Sequence, residues 1–225
     1  MTSMTGSKPP SAAELIKNHK VTIAKGVVLI LHLVGIAGLY WEASRPFFQL
    51  VTPLHLVLVT GLLLVFHTGF NRHFLVFAFS AFAIGMVTEI VGVNTGLIFG
   101  EYHYGPVLGP KILGVPVMIG VNWFLMVYVT GGVWYRILEN DILAALAGAV
   151  LMVAMDLSME PVAIKLDFWQ WETGGIPLSN YLSWFFIAFV IQMLYRKLTF
   201  PRDNKLNFFV FINLLLFFFV LAIIL

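Results

Sequence analysis

The stretch 74–93, FLVFAFSAFAIGMVTEIVGV, is apolar for long enough to cross a bilayer and carries a single ionisable residue, Glu89. No Lys or Arg lies within a helical turn of it. An acidic side chain in hydrocarbon costs roughly 2.5 to 3.5 kcal/mol on insertion scales, so a group placed there faces a bundle interior and marks a functional site. A second stretch, 141–160, DILAALAGAVLMVAMDLSME, repeats the anomaly with Asp156 inside it and Glu160 at its end. Four residues apart, these two carboxyls project from one helix face a turn from each other. Like charges at that spacing repel, which favours a pair that shares one proton and offers it as an acid.

The rest of the chain fits the same solvent. Its 225 residues are 60% hydrophobic and 11% charged, with a mean hydropathy of +0.94. That composition describes an integral membrane protein in which no separate soluble domain fits; the expected place is a cell inner membrane, crossed several times, with no nucleic-acid partner. Six to eight crossings of about 20 residues fill the length. Cys is absent, which removes disulfides, thiol catalysis and thiolate metal sites together.

Seven apolar spans are read near 22–41, 48–66, 74–93, 116–136, 141–159, 178–198 and 206–225. The predicted fold is therefore an all-α polytopic bundle, one transmembrane domain over 21–225. It is preceded by a Ser/Thr/Pro/Lys-rich tail over 1–20, expected to be disordered or to lie on the surface. With seven spans, Lys8, Lys17, Lys20, Lys25, Arg72, Arg136, Arg196, Lys197, Arg202 and Lys205 share one side, against Arg45, Lys111 and Lys165 on the other. The positive-inside rule then predicts a cytoplasmic N-terminus. The long connections 94–115 and 160–177 fall together on the opposite face.

Both connections are rich in glycine, aromatics and hydrogen-bonding groups, and both end in the same phrase. Gly114-Val115-Pro116 is followed by Trp123-Phe124, and Gly175-Ile176-Pro177 by Trp184-Phe185 at identical spacing, with Asn122 and Ser183 just before each Trp. Pro at the first helical position loses no hydrogen bond, so the phrase reads as a helix entry. The match suggests an internal repeat of spans three–four and five–six, with a site at the interface between the halves. Generic interface anchoring by Gly, Pro and Trp is the alternative.

On this reading four carboxyls, Glu89, Glu101, Asp156 and Glu160, converge beneath the two connections. His103, flanked by Tyr102 and Tyr104, is placed to relay or orient a proton. His32, His55 and His67 show no metal-ligand spacing, and no metal is expected. The Phe-rich last span reads as lipid-facing or packing surface.

The phrases Glu89–Gly96, Phe99–Tyr104, Gly114–Pro116, Asp156–Ala163, Trp169–Trp171 and Ile176–Tyr181 together resemble the integral-membrane carotenoid biosynthesis family. The resemblance covers roughly 74–198. It implies a carotenoid 1,2-hydratase acting on ends such as those of γ-carotene or bisanhydrobacterioruberin, or a relative of the small membrane lycopene cyclases. A lipophilic polyene substrate, a lipid bilayer and other carotenoid-pathway enzymes are the partners it implies.

Hydration of a terminal trisubstituted alkene needs an acid, a water and no cofactor. Glu89 or Asp156 is the expected acid, and Glu160 and Glu101 are the expected water activators. Asn94 and Asn180 are expected to position the water, with the rings of Tyr102, Tyr104, Trp169 and Trp171 steadying the cation. A cyclase starts from the same protonation and excludes water. The rival from another class is a small proton-coupled transporter, since intramembrane carboxylates and repeats occur there too. A retinal receptor is disfavoured, because Lys205 lies at the edge of the last span rather than in its core.

Overall fold

The computed structural model describes residues 12–225, with side chains from 19 onward. Among the described residues, seven helices are long and apolar enough to cross a membrane. In chain order they are α1 (Ala12–Tyr40), α2 (Arg45–Val65), α3 (Arg72–Thr95), α4 (Val117–Trp134), α5 (Asp141–Lys165), α6 (Leu178–Lys197) and α7 (Asn207–Ile224). Four short strands interrupt them: β1 (Tyr102–Tyr104), β2 (Lys111–Ile112), β3 (Val115–Pro116) and β4 (Trp169–Trp171). The fold is an all-helical membrane bundle in which the strands serve the connections.

Local chemistry explains the helix boundaries. Asn71 caps α3 by accepting from the Phe74 amide at 2.9 Å, and Asn140 caps α5 by accepting from Ile142 and Leu143, each at 3.0 Å. Pro116 and Pro177 stand one position earlier than expected, as N-caps with extended backbone, and α4 and α6 begin at the next residue. Helix α3 ends on Gly96, whose φ of +69° suits glycine and whose amide donates to Gly92 O at 2.8 Å.

Two expectations are corrected. Helix α1 starts at Ala12, inside the expected tail, because Ala-Ala-Glu-Leu-Ile-Lys is a run of good helix formers; the remainder of that tail, 1–11, lies outside the described residues. Helix α5 does not stop before Pro161 but continues to Lys165. In hydrocarbon a broken helix leaves backbone groups with no water to bond, so Pro is tolerated within a spanning helix. Glu160 is thereby helical, and the outer connection shortens to 166–177.

Helix α4 is the axis of the bundle. Apart from Val121 and Asn122, every residue from Ile119 to Gly131 is buried, as befits a helix that is apolar all round. It contacts α2, α3, α5, α6 and α7. Its close approach to α3 depends on Gly85, where a Cβ would come within 2.4 Å of the Trp123 ring. At the other end of the bundle from the aromatic connections, Arg196 and Lys197 of α6 each bond Asp141 of α5 at 2.8 Å.

The two long connections meet. Strand β1 pairs antiparallel with β4, Tyr102 opposite Trp171, His103 opposite Gln170 and Tyr104 opposite Trp169. Gly105 N donating to Phe168 O at 2.9 Å and Glu172 N donating to Glu101 O at 3.0 Å extend the ribbon at both ends. It closes one end of the bundle over α3, α4, α5 and α6.

Seven crossings would put the α5–α6 connection and the α4–α5 connection on opposite faces, and the expectation from the Lys/Arg distribution is that the α5–α6 connection lies outside. In this cysteine-free chain, a single Thr173→Cys should react with an impermeant maleimide from outside the cell. A single Glu139→Cys should react only after the membrane is opened. Labelling of both from one side would refute the seven-span topology.

Candidate active site

Beneath the β1–β4 ribbon lies a chamber of about 20 Å³ bounded by Glu89, Asp156, Glu160, Asn122, Asn180 and the aromatic residues of both strands. All three carboxyl residues are buried, Glu89 with 3% of its surface exposed and Asp156 and Glu160 with 1% each. Charge or partial charge at such depth must be met by donors, and the ribbon supplies them.

Glu89 receives three. Tyr102 and Tyr104 donate their hydroxyls to its Oε2 at 2.6 and 2.7 Å, and Trp123 donates Nε1–H to Oε1 at 3.1 Å. Both phenols lie outside the spanning segments. Burial first, and then the charge of Glu89, pushes each well above the ordinary tyrosine value. They therefore stay protonated, as donors, throughout the physiological range.

Glu160 is held in the same manner from the other strand. Trp169 and Trp171 donate to its Oε2 at 3.0 and 2.9 Å. Each strand thus presents its first and third residues, both aromatic, to one oxygen of a carboxyl on the preceding helix. Alternation along an extended strand puts both side chains on one face, the face turned toward the bundle.

Asn180, 2% exposed on the first turn of α6, bridges the remaining pair. Its amide donates to Asp156 Oδ2 at 2.8 Å and to Glu160 Oε1 at 3.3 Å. Asp156 Oδ1 is buried with no partner among the described residues. Hydrogen-bond arithmetic separates the three acids: Glu89 and Glu160 have donors on both oxygens and Asp156 on one. Asp156 is therefore the carboxyl with one oxygen that no donor among the described residues addresses.

The structure does not bring every expected residue here. Glu101 is exposed on the ribbon and lines no part of the chamber. Exposed His103 instead pairs with exposed Glu172 at 2.6 Å. Asn94, also exposed, donates to Ile90 O and Leu113 O at 2.8 and 3.0 Å, bracing the end of α3. The reason is the same alternation that aims Tyr102 and Tyr104 inward: Glu101 and His103 do not share their face. Tyr102, Tyr104, Trp169 and Trp171 address the carboxyls through O–H and N–H edges, a role distinct from the ring-face contact expected.

Other residues enter that the sequence marked only as parts of the repeated phrase. Trp123 and Trp184 stack, centroids 4.3 Å apart and planes 18° apart, beside the acids. Asn122 lines the chamber and also a second, larger space. That second cavity, about 310 Å³, is bounded by apolar side chains of α1, α2, α4 and α7, among them Leu31, Phe48, Leu54 and Phe217. Ile119, Asn122 and Trp169 line both spaces, so the cavities adjoin. No sequence pattern announces such a cavity, because it arises from how helices distant in sequence pack.

Comparisons with known proteins bear on this pairing of an acid chamber with an apolar cavity. Residues 49–225 match the family described as carotenoid biosynthesis protein. The bisanhydrobacterioruberin hydratase of Haloarcula japonica is 33% identical over 118 residues, an overlap covering 48% of this chain and 39% of that protein. The chain thus spans well under half the length of that curated relative. No solved structure matches. The matched region contains the whole carboxyl chamber and its ribbon, and the chain belongs to the carotenoid biosynthesis protein family.

Proposed function

We propose that this chain is a carotenoid hydratase that adds water across the terminal 1,2 double bond of an acyclic carotenoid end group, in a cell inner membrane. One observation carries the reading: a lipid-enclosed chamber ringed by three carboxyls adjoins an apolar cavity of a size suited to part of a long hydrocarbon. Family membership and the hydratase relative support it.

In this mechanism the polyene end lies in the larger cavity with its terminal alkene against the wall shared by Ile119, Asn122 and Trp169. Asp156 Oδ1 gives its hydrogen to the less substituted alkene carbon. The π electrons form the new C–H bond, and the other carbon becomes a tertiary cation. Glu89, fixed by three neutral donors, supplies a preorganised negative charge for that cation. Water adds its oxygen to the cation, and the proton it sheds passes to Glu160. Return of that proton to Asp156, one turn along the same helix face, restores the starting state.

The chemistry calls for no cofactor. A cyclase reading starts from the same protonation and ends with capture of the cation by a neighbouring double bond. Product mass separates the two: a gain of one water against an unchanged mass.

Expressed in cells accumulating an acyclic carotenoid, the chain should give a product heavier by one water. Asp156→Asn should lower conversion by about 10²- to 10⁴-fold, the range of general acid catalysis, at undiminished membrane yield; unaltered conversion would remove Asp156 as the acid. Glu89→Gln should slow the reaction by about 10²- to 10³-fold, as for loss of an oriented electrostatic group. Glu101→Gln should leave the rate unchanged, and a loss comparable to that of Asp156→Asn would show that the ribbon's outer face takes part.

A further inference from the structure

We propose that Asn122 holds the attacking water at the boundary between the two cavities, and so decides whether the cation ends as an alcohol or as an isomer. The inference rests on the hydratase reading and extends it to product choice.

The chamber's 20 Å³ is a volume for one water and no more, since a single molecule requires roughly 10 to 15 Å³ of such space together with two to four polar partners. The neighbouring polar side chains are mostly committed. Asn180 is spent on Asp156 and Glu160, and both oxygens of Glu89 are taken.

Two groups stand apart. Asp156 Oδ1 has no partner among the described residues, and the Asn122 carboxamide makes no hydrogen bond to any described residue while lining both spaces. Among the other amides within the bundle, Asn204 donates to Leu63 O, Asn213 to Phe209 O, and Gln192 to Thr130 and Val127 O, while Asn207, whose Nδ2 and Oδ1 also lack a partner, lines neither space. An unengaged carboxamide on the central helix, beside Trp123 and its bond to Glu89, is therefore free for a ligand.

Its chemistry suits water. A carboxamide both donates and accepts, so it can take a hydrogen from the water and leave an oxygen lone pair facing the alkene. An ionised side chain at this wall would place a charge against the apolar cavity, and an aliphatic one would leave the water without a partner on the substrate side.

The fate of the cation follows. With water held at Asn122, its lone pair forms the C–O bond, and the oxonium proton leaves to Glu160. Without it, a C–H bond next to the cationic carbon breaks, its electrons re-form an alkene, and the proton returns to a carboxylate. The result is recovered substrate or an isomer carrying hydrogen drawn from the protein.

The test uses the full chain in lipid nanodiscs in D₂O with an acyclic carotenoid, reading hydrated product and deuterium in unhydrated pigment separately. Asn122→Leu, close in volume and without hydrogen bonding, should lower hydrated product by about tenfold or more, the scale of one lost hydrogen bond. Deuterium should continue to enter the unhydrated pigment. Asn122→Ser, which restores a donor and an acceptor, should recover most of the hydration. Loss of both signals in Asn122→Leu, or of neither, overturns the assignment of Asn122 alone. A wild-type chain that exchanges deuterium yet yields only isomers overturns the hydratase reading and this assignment together.

Discussion

Three carboxyl residues inside a bundle whose surroundings are hydrocarbon must be given hydrogen-bond donors that hydrocarbon tolerates. Bulk water is excluded, and a Lys or Arg brought in as partner would itself have to be desolvated. The chain meets the constraint with indole and phenol groups, which carry one polar edge on a large apolar body. Two strands of three residues suffice, because strand alternation aims two donors per strand at one oxygen. The ribbon that makes the chamber thus exists only because two connections distant in sequence pair with each other, and the connections meet only because seven crossings leave both on one face.

Helix α4 transmits this arrangement to the rest of the molecule. It carries Trp123 to Glu89 and Asn122 to the cavity wall, and its burial against five other helices fixes both positions. Gly85 on α3 is part of the same device, since any side chain there would push the Trp123 ring off its bond to Glu89. The site is in this sense built on rigid elements: acids from α3 and α5, amides from α4 and α6, and a two-stranded lid tied at both ends by backbone hydrogen bonds.

What was legible in the sequence follows from what sequence periodicity encodes. Glu89, Asp156 and Glu160 stood out because polarity against an apolar run is visible without a fold, and the matched spacing from Pro116 to Trp123 and from Pro177 to Trp184 singled out two tryptophans without indicating that they stack. Length and charge anticipated seven spans, five of them within a few residues of the helices at both ends, with α1 beginning ten residues earlier than read and α5 ending six later. Glu101, His103 and Asn94 were grouped with the acids by proximity in sequence, but strand alternation turns the first two outward and the end of α3 claims the third. The reach of α5 past Pro161 was hidden by a rule that holds in water better than in lipid. The apolar cavity and the place of Asn122 on its wall were invisible for a plainer reason. Both depend on α1, α2 and α7 standing beside α4, and no local pattern states which helices are neighbours.

The choice of neutral donors has a chemical consequence beyond tolerance of lipid. A guanidinium or ammonium on each acid would pin every carboxyl as an anion and leave nothing to protonate an alkene. Indole, phenol and carboxamide donors instead grade the acids by number: both oxygens of Glu89 and Glu160 occupied, one of Asp156 free. Asp156 Oδ1 is the carboxyl oxygen of this cluster that no donor among the described residues addresses, and Asp156 lines the same chamber as Asn122. The same donors that make three buried acids bearable therefore also distinguish them, leaving one oxygen of Asp156 open while each oxygen of Glu89 and Glu160 accepts at least one hydrogen bond.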